Sequence, residues 1–235
     1  MEKTNTFSPP EKKLLIAYIL WEICNLIAIK YTEITCPAQI QYSVMYLAIC
    51  ANTLVTAFFY LKYGRGIGWQ NRVNFLAAGL FLTFIADFFL TLLNLRLPGF
   101  MTFCLVESAY AAFFKPTRKS ILARTVLFVI FLVLLFITGY FSLSNFFGML
   151  NLALLTVNMA SAFSFYIQKK VRWRLYLTLG FTLFAGCDYS ILVRNLAMGP
   201  LYNFACHTTW IFYVPAQVLI VLSYALAVKK GKTVL

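Results

Sequence analysis

The sequence predicts an all-α protein, a polytopic transmembrane helical bundle with eight spans, and three observations carry that prediction. Of 235 residues, 62% are hydrophobic and only 11% charged, where a soluble domain carries roughly 25% charged residues. Mean hydropathy is +0.80, and apolar runs of about 20 residues, the length that crosses a bilayer as a helix, follow one another with short polar breaks. The basic residues fall between those runs in alternation. A conventional water-soluble domain is excluded.

The first span, Leu14 to Ile29, follows a polar head carrying Lys12 and Lys13. Its core holds Glu22 and Asn25 and no small-residue cleavage site follows, so it reads as a retained helix rather than a signal peptide. The second runs from Ile40 to Leu61, the third from Val73 to Leu95 and the fourth from Leu97 to Phe114. The fifth covers Ile121 to Thr138, the sixth Leu143 to Ile167, the seventh Leu175 to Val193 and the eighth Thr208 to Val228. No linker or low-complexity stretch separates them, so residues 1–235 read as a single integral membrane domain.

Charge tests the span count. If the spans alternate, Lys12, Lys62, Arg72, Lys115, Arg124, Lys169, Arg174, Lys229 and their basic neighbours all fall on one side. Of the 20 Lys and Arg, only Lys30, Arg96 and Arg194 remain for the other. Basic residues accumulate in cytoplasmic loops, which predicts that the N- and C-termini are cytoplasmic. The net charge of +13 therefore sets topology: the bilayer is the expected partner and nucleic acid is not.

A faint internal repeat accompanies the spans. Aligning Asp87 on Asp188 superposes Gly79 on Gly180, Phe88 on Tyr189, Leu90 on Ile191 and Asn94 on Asn195. The copies lie in the third and seventh spans, which have the same orientation, so the pattern predicts a parallel 4+4 repeat about an axis along the membrane normal. The cysteines Cys24, Cys36, Cys50, Cys104, Cys187 and Cys206 form no CxxC pair and have no His at metal spacing. Most read as buried small apolar residues. Cys36 and Cys206 fall in predicted outer loops, where two free thiols are the simpler reading and a disulfide the alternative.

Only seven acidic residues are present. Glu2, Glu11 and Glu33 fall in the tail or a loop, whereas Glu22, Asp87, Glu107 and Asp188 lie inside spans. A carboxylate near mid-bilayer costs a few kcal/mol on the lenient insertion scale, so each should face the bundle interior and mark a site. At ~1.5 Å of rise per residue, Asp87 and Asp188 sit at the same depth, roughly 20 Å into their spans and nearer the outer leaflet. Gly79, Thr83, Thr91 and Asn94 recur around Asp87 as a polar stripe suited to a hydrated cavity. Trp210, Tyr213, Gln217 and Tyr224 share a face of the eighth span. Asn151 and Asn158 lie two turns apart in the sixth and read as interhelical hydrogen-bond glue.

The aspartates read as functional, since Asn or Thr makes a structural hydrogen bond without the cost of a carboxylate. Two carboxyls brought together in low dielectric do not both ionise readily, and a neutral acid beside a carboxylate is an acid–base pair. Such a pair protonates one atom and activates a water, as in aspartic proteases and glycosidases. The single histidine, His207, precedes the eighth span and reads as an interfacial side chain. Gly64-Arg65-Gly66-Ile67-Gly68 reads as a flexible basic turn with affinity for anionic headgroups. No Ser-His-Asp arrangement or Walker sequence is evident, and nothing in the residues calls for a metal or cofactor.

Two blocks resemble the YhhN-type lysoplasmalogenase family of eight-span membrane proteins. The first is Gly79 through Asp87 and Leu90, then Pro98-Gly99, Phe103 and Tyr110. The second is Gly180, Phe184 and Asp188, then Tyr213-Val214-Pro215-Ala216-Gln217 with Leu219, Ile220 and Ser223. Glu107 stands where that family usually has His, and Ala86 and Cys187 where Gly and Ser commonly precede the aspartates. The resemblance implies a hydrolase that cleaves the vinyl ether bond of a lysoplasmalogen to a fatty aldehyde and a glycerophospho-base, without a cofactor. It implies catalytic roles for Asp87 and Asp188. It gives substrate- or water-orienting roles to Glu107, Tyr110, Tyr213 and Gln217, with Asn94 and Asn195 added from the repeat. Two other readings fit the same carboxylates: a proton-coupled transporter of a small molecule or lipid, and a non-enzymatic lipid-binding subunit whose polar stripes only hold helices together.

Overall fold

Each apolar run forms a helix, and most helices outrun the apolar stretch that predicts them, because polar caps extend them beyond the lipid-soluble part. Helix α1 (Pro9–Thr35) starts on a proline, whose missing N–H costs nothing there, and the Ser8 N–H donates to Glu11 Oε2 at 2.8 Å. Helices α2 (Ala38–Phe59), α3 (Val73–Asp87), α4 (Arg96–Phe114) and α5 (Arg118–Ile137) follow. Then come α6 (Leu143–Gln168), α7 (Arg172–Leu196) and α8 (Pro200–Lys230). All eight transmembrane segments are long and apolar enough to cross a membrane. The structure, a computed structural model, describes residues 7–67, 71–196 and 198–230; Glu2, Lys3, Gly68 and Lys232, used in the charge and loop readings, lie outside them.

Helix α8 begins well before Thr208, again on a proline. Cys206 and His207 are therefore helical residues rather than loop residues, and Cys36 caps the end of α1. Both cysteines are free thiols. The predicted flexible turn is also corrected: a π-helical turn, Tyr60–Gly64, and a 3-10 turn, Arg65–Ile67, continue α2. Gly64 is buried there, where a Cβ would stand 2.7 Å from the Tyr60 ring and 3.0 Å from the Tyr224 hydroxyl.

Helix α8 is the centre of the bundle, with 61% of its apolar window buried, against 6% for α5 at the periphery. Helix α7 packs along α8, α3 lies against α4, and α6 joins α4 to α7. Helices α1 and α2 pair with each other and contact α8, while α5 rests chiefly on α6. The outward faces are apolar, as on α5 with Ile121, Val126, Val129 and Val133. Leu177, Phe181, Ile220 and Tyr224 are fully buried in α7 and α8.

Gly79 and Gly180 mark close helix approaches. A Cβ on Gly180 would lie 2.7 Å from Ile220 Cγ1, and one on Gly79 only 2.2 Å from Tyr110 Cε1. Such contacts leave room for hydrogen alone. Gly79→Ala is expected to destabilise by about 1–3 kcal/mol, the usual range for overpacking. A lowered thermal midpoint in detergent checks this, and an unchanged midpoint contradicts it.

At the end where α1 begins and α8 ends, Glu11 is a buried clamp rather than a tail residue. Its carboxylate accepts from Lys62 Nζ at 2.8 Å, from Lys229 Nζ at 2.6 Å and from the Tyr63 hydroxyl. One side chain thus ties α1 to α8 and to the turn after α2. Removing one member of a buried charge cluster leaves the others uncompensated. Glu11→Gln is therefore expected to lower the thermal midpoint more than Arg65→Gln, which breaks no ion pair among the described residues. Equal midpoints would show that the clamp carries no stability.

Candidate functional site

Asp87 is the last α-helical residue of α3. The predicted helix to Leu95 is interrupted, because Phe88–Leu92 widens into a π turn. The Thr91 hydroxyl donates to the Asp87 carbonyl oxygen at 2.5 Å, and the Leu93 N–H donates to the Phe88 carbonyl at 3.2 Å. Asn94 follows at φ 51, a left-handed conformation that asparagine adopts more readily than most residues. A π turn re-aims the side chains after it and recurs at functional sites. Here it brings Thr91, Asn94 and Arg96 to the wall of one cavity. After Asp188, in contrast, α7 stays α-helical to Leu196, so the backbone that follows the two aspartates differs.

The cavity has a volume of about 490 Å³, in the range of small-molecule sites. It lies toward the bundle end opposite the Glu11 clamp, since its rim includes Glu33 from the last turn of α1 and His207 from the first turns of α8. Asp87 and Asp188, from α3 and α7, both line it. Asp87 accepts a hydrogen bond from the Tyr213 hydroxyl, and Asp188 accepts one from Asn151 Nδ2 at 2.8 Å. Among the described residues, no hydrogen bond is made to the second oxygen of either carboxyl. A carboxylate offers about four acceptor positions, so most of that capacity remains for water or a ligand.

Tyr213 is held for this contact by aromatic packing. Phe184 and Trp210 meet its ring edge-on, with centroids 5.9 Å and 5.1 Å away. Trp210, Phe184 and Phe103 also form apolar wall, so the cavity joins a greasy lining to a few convergent polar groups.

Of the residues singled out in the sequence, Asp87, Asp188, Tyr213, Asn94 and Asn195 meet at this cavity. Glu107, Tyr110 and Gln217 do not line it. Glu107 is wholly buried, and Asn158 Nδ2 donates to its Oε2 at 2.7 Å and to its carbonyl at 2.8 Å. Asn158 in turn accepts from Arg124 Nη2 at 2.9 Å, which makes a separate polar cluster joining α4, α6 and α5. The Tyr110 ring fills the space against Gly79, and Gln217 is buried in α8. Glu22 is buried in α1, away from the cavity, and among the described residues neither of its carboxyl oxygens has a hydrogen-bond partner. Among the described residues, no group of three His, Cys, Asp or Glu is placed to hold a metal ion.

Asn151 is the cavity residue that the glue reading missed. A signal for it exists in the α6–α7 hairpin. Asn151 precedes the turn, and Asp188 follows it, by about 25 Å of helix at ~1.5 Å per residue, so the two stand at one level. Arg96 and Arg194, read from the sequence as topology signals, also line the cavity.

No family model, curated protein or solved structure matches the chain.

Proposed function

We propose that the protein is a membrane hydrolase that cleaves the vinyl ether bond of lysoplasmalogens, with Asp87 and Asp188 as its catalytic carboxyls. The observation that carries this reading is the pair itself. Two carboxyls from different helices line one cavity, and among the described residues each is held by one neutral donor, which leaves an oxygen for a ligand. The substrate class comes from the resemblance of the Gly79–Tyr110 and Gly180–Ser223 blocks to the lysoplasmalogenase family.

The chemistry asks for little more than this. A carboxylic acid protonates the β-carbon of the enol ether, which leaves an oxocarbenium ion on the carbon that bears oxygen. A carboxylate takes a proton from water as that water adds to the same carbon. The resulting hemiacetal collapses, the carbon–oxygen bond to glycerol breaks, and the proton returns to the glycerol oxygen. One water is consumed, and the products are a saturated fatty aldehyde and a glycerophospho-base. Tyr213 and Asn151 hold the two carboxyls in place, while Asn94 and Asn195 offer amides to the polar part of the substrate.

In this proposal both termini are cytoplasmic, in keeping with the one-sided distribution of basic residues, so the cavity faces the outer leaflet. The test is mass spectrometry of lipids incubated with the purified protein, using a lysoplasmalogen and the corresponding ester lysophospholipid. Aldehyde from the vinyl ether alone is expected. Hydrolysis of the ester alone, or of neither lipid, would overturn the reading.

A further inference from the structure

Arg96 opens α4 and Arg194 lies in the last turn of α7, and both line the cavity that holds Asp87 and Asp188. They come from different helices, yet neither makes an ion pair among the described residues. The carboxylate at the rim, Glu33, is engaged elsewhere: Lys30 Nζ donates to it at 2.6 Å and His207 Nδ1 stands 3.7 Å away. Lys30 Nζ also donates to the His207 carbonyl at 2.6 Å, which joins α1 to α8 beside the opening. Lys30 and Glu33 thus satisfy each other, and among the described residues the two guanidiniums are left without a paired carboxylate.

Their placement is selective. Among the described Lys and Arg, only Lys30, Arg96 and Arg194 belong to this end of the bundle, and the two that lack an acidic partner converge on one cavity. A guanidinium is a planar fork of donors that matches two oxygens of a phosphate at once. Asn94 and Asn195 line the same opening with amide donors. Along α7, Arg194 stands about 9 Å of helical rise beyond Asp188.

We infer that Arg96 and Arg194 form an anion subsite that takes the phosphate of a lysophospholipid headgroup and directs the ether-linked chain inward to Asp87 and Asp188. The inference rests on the hydrolase reading for the identity of the reacting bond, but not for the anion.

The test separates the two. Binding of a non-hydrolysable 1-alkyl lysophospholipid and of the matching 1-alkylglycerol, which lacks phosphate, is measured on the full-length protein. Wild type is compared with Arg96→Gln, Arg194→Gln and the double variant, each checked for an unchanged thermal midpoint. Each single change is expected to weaken the phosphate-bearing ligand about tenfold, the double change more, and Arg194→Lys less than Arg194→Gln. The affinity for alkylglycerol is expected to stay the same. Equal losses for both ligands, or no loss for either, would overturn the subsite. Displacement of the lipid by inorganic phosphate alone at similar concentration would overturn the headgroup assignment in favour of a free anion. A wild type that shows the phosphate preference but releases no aldehyde from lysoplasmalogen would retain the subsite and refute the hydrolase. Equal kcat/KM for lysoplasmalogen and for the phosphate-free alkenylglycerol would do the reverse.

Discussion

Asp87→Asn and Asp188→Asn are each expected to lower kcat for vinyl ether hydrolysis by about 10²–10⁴-fold, the usual weight of a positioned acid or base. The amide keeps the size of the carboxyl and its accepting oxygen. Tyr213 can still donate to the side chain at position 87, and Asn151 to the one at 188. What the amide lacks is the capacity to give up or take a proton at the reacting atom. The thermal midpoint should therefore hold while turnover is lost. Because the two groups act as one unit, the double variant should be little worse than either single one. Steady-state aldehyde release together with thermal unfolding in detergent measures both quantities. Loss of the fold with activity per folded molecule retained would support the reading in which the carboxyls only hold helices together.

The two asparagines of α6 provide the second large effect, because they are alike in sequence and different in surroundings. Asn151→Leu removes the donor to Asp188 in the cavity. The loss of a hydrogen bond to a charged group is worth about 1.5–3 kcal/mol, so turnover should fall by roughly 10–100-fold. Asn158→Leu removes the donor to Glu107, away from the cavity, and breaks the link to Arg124. That change leaves a fully buried carboxyl stripped of its partner, with an expected cost of about 1–3 kcal/mol in stability. Activity per folded molecule should be close to wild type. Comparing kcat and midpoint for the two variants checks the contrast, and equal loss of activity in both would contradict the separation of the clusters.

That contrast also shows what a sequence can and cannot convey here. The number and order of the helices follow from hydropathy and from basic residues such as Lys62, Lys115 and Lys169 at span ends, because lipid and water sort residues strongly along the chain. The shared depth of Asp87 and Asp188 follows from the fixed rise of a helix. Lateral neighbours are a different matter. Nothing in the residue type tells Asn151, which meets Asp188 on α7, from Asn158, which meets Glu107 on α4. Glu107 looks like a site residue by the same cost argument that identifies the aspartates, yet its helix turns it toward α6 and not toward the cavity.

Helix ends were legible only roughly. The first turns of α8 hold polar residues such as His207 and Thr208, which hydropathy counts against a span although a proline at the start favours the helix. The π turn after Asp87 depends on where backbone hydrogen bonds shift. Thr91 and Asn94 are its only compositional traces, and both read equally well as parts of an amphipathic helix. The arginines were counted by side rather than by neighbour, so their convergence on the cavity became visible only with the fold.

The most direct test of vinyl ether hydrolysis at the Asp87 and Asp188 pair is to run the reaction in water enriched in the heavy oxygen isotope and to weigh the released glycerophospho-base. Attack of water on the oxocarbenium carbon leaves the original ether oxygen on glycerol, so this product should carry no heavy oxygen, and its formation should cease in Asp87→Asn. Heavy oxygen in the glycerophospho-base would place the cleavage at the glycerol carbon and contradict the mechanism, and an intact lipid would contradict the function.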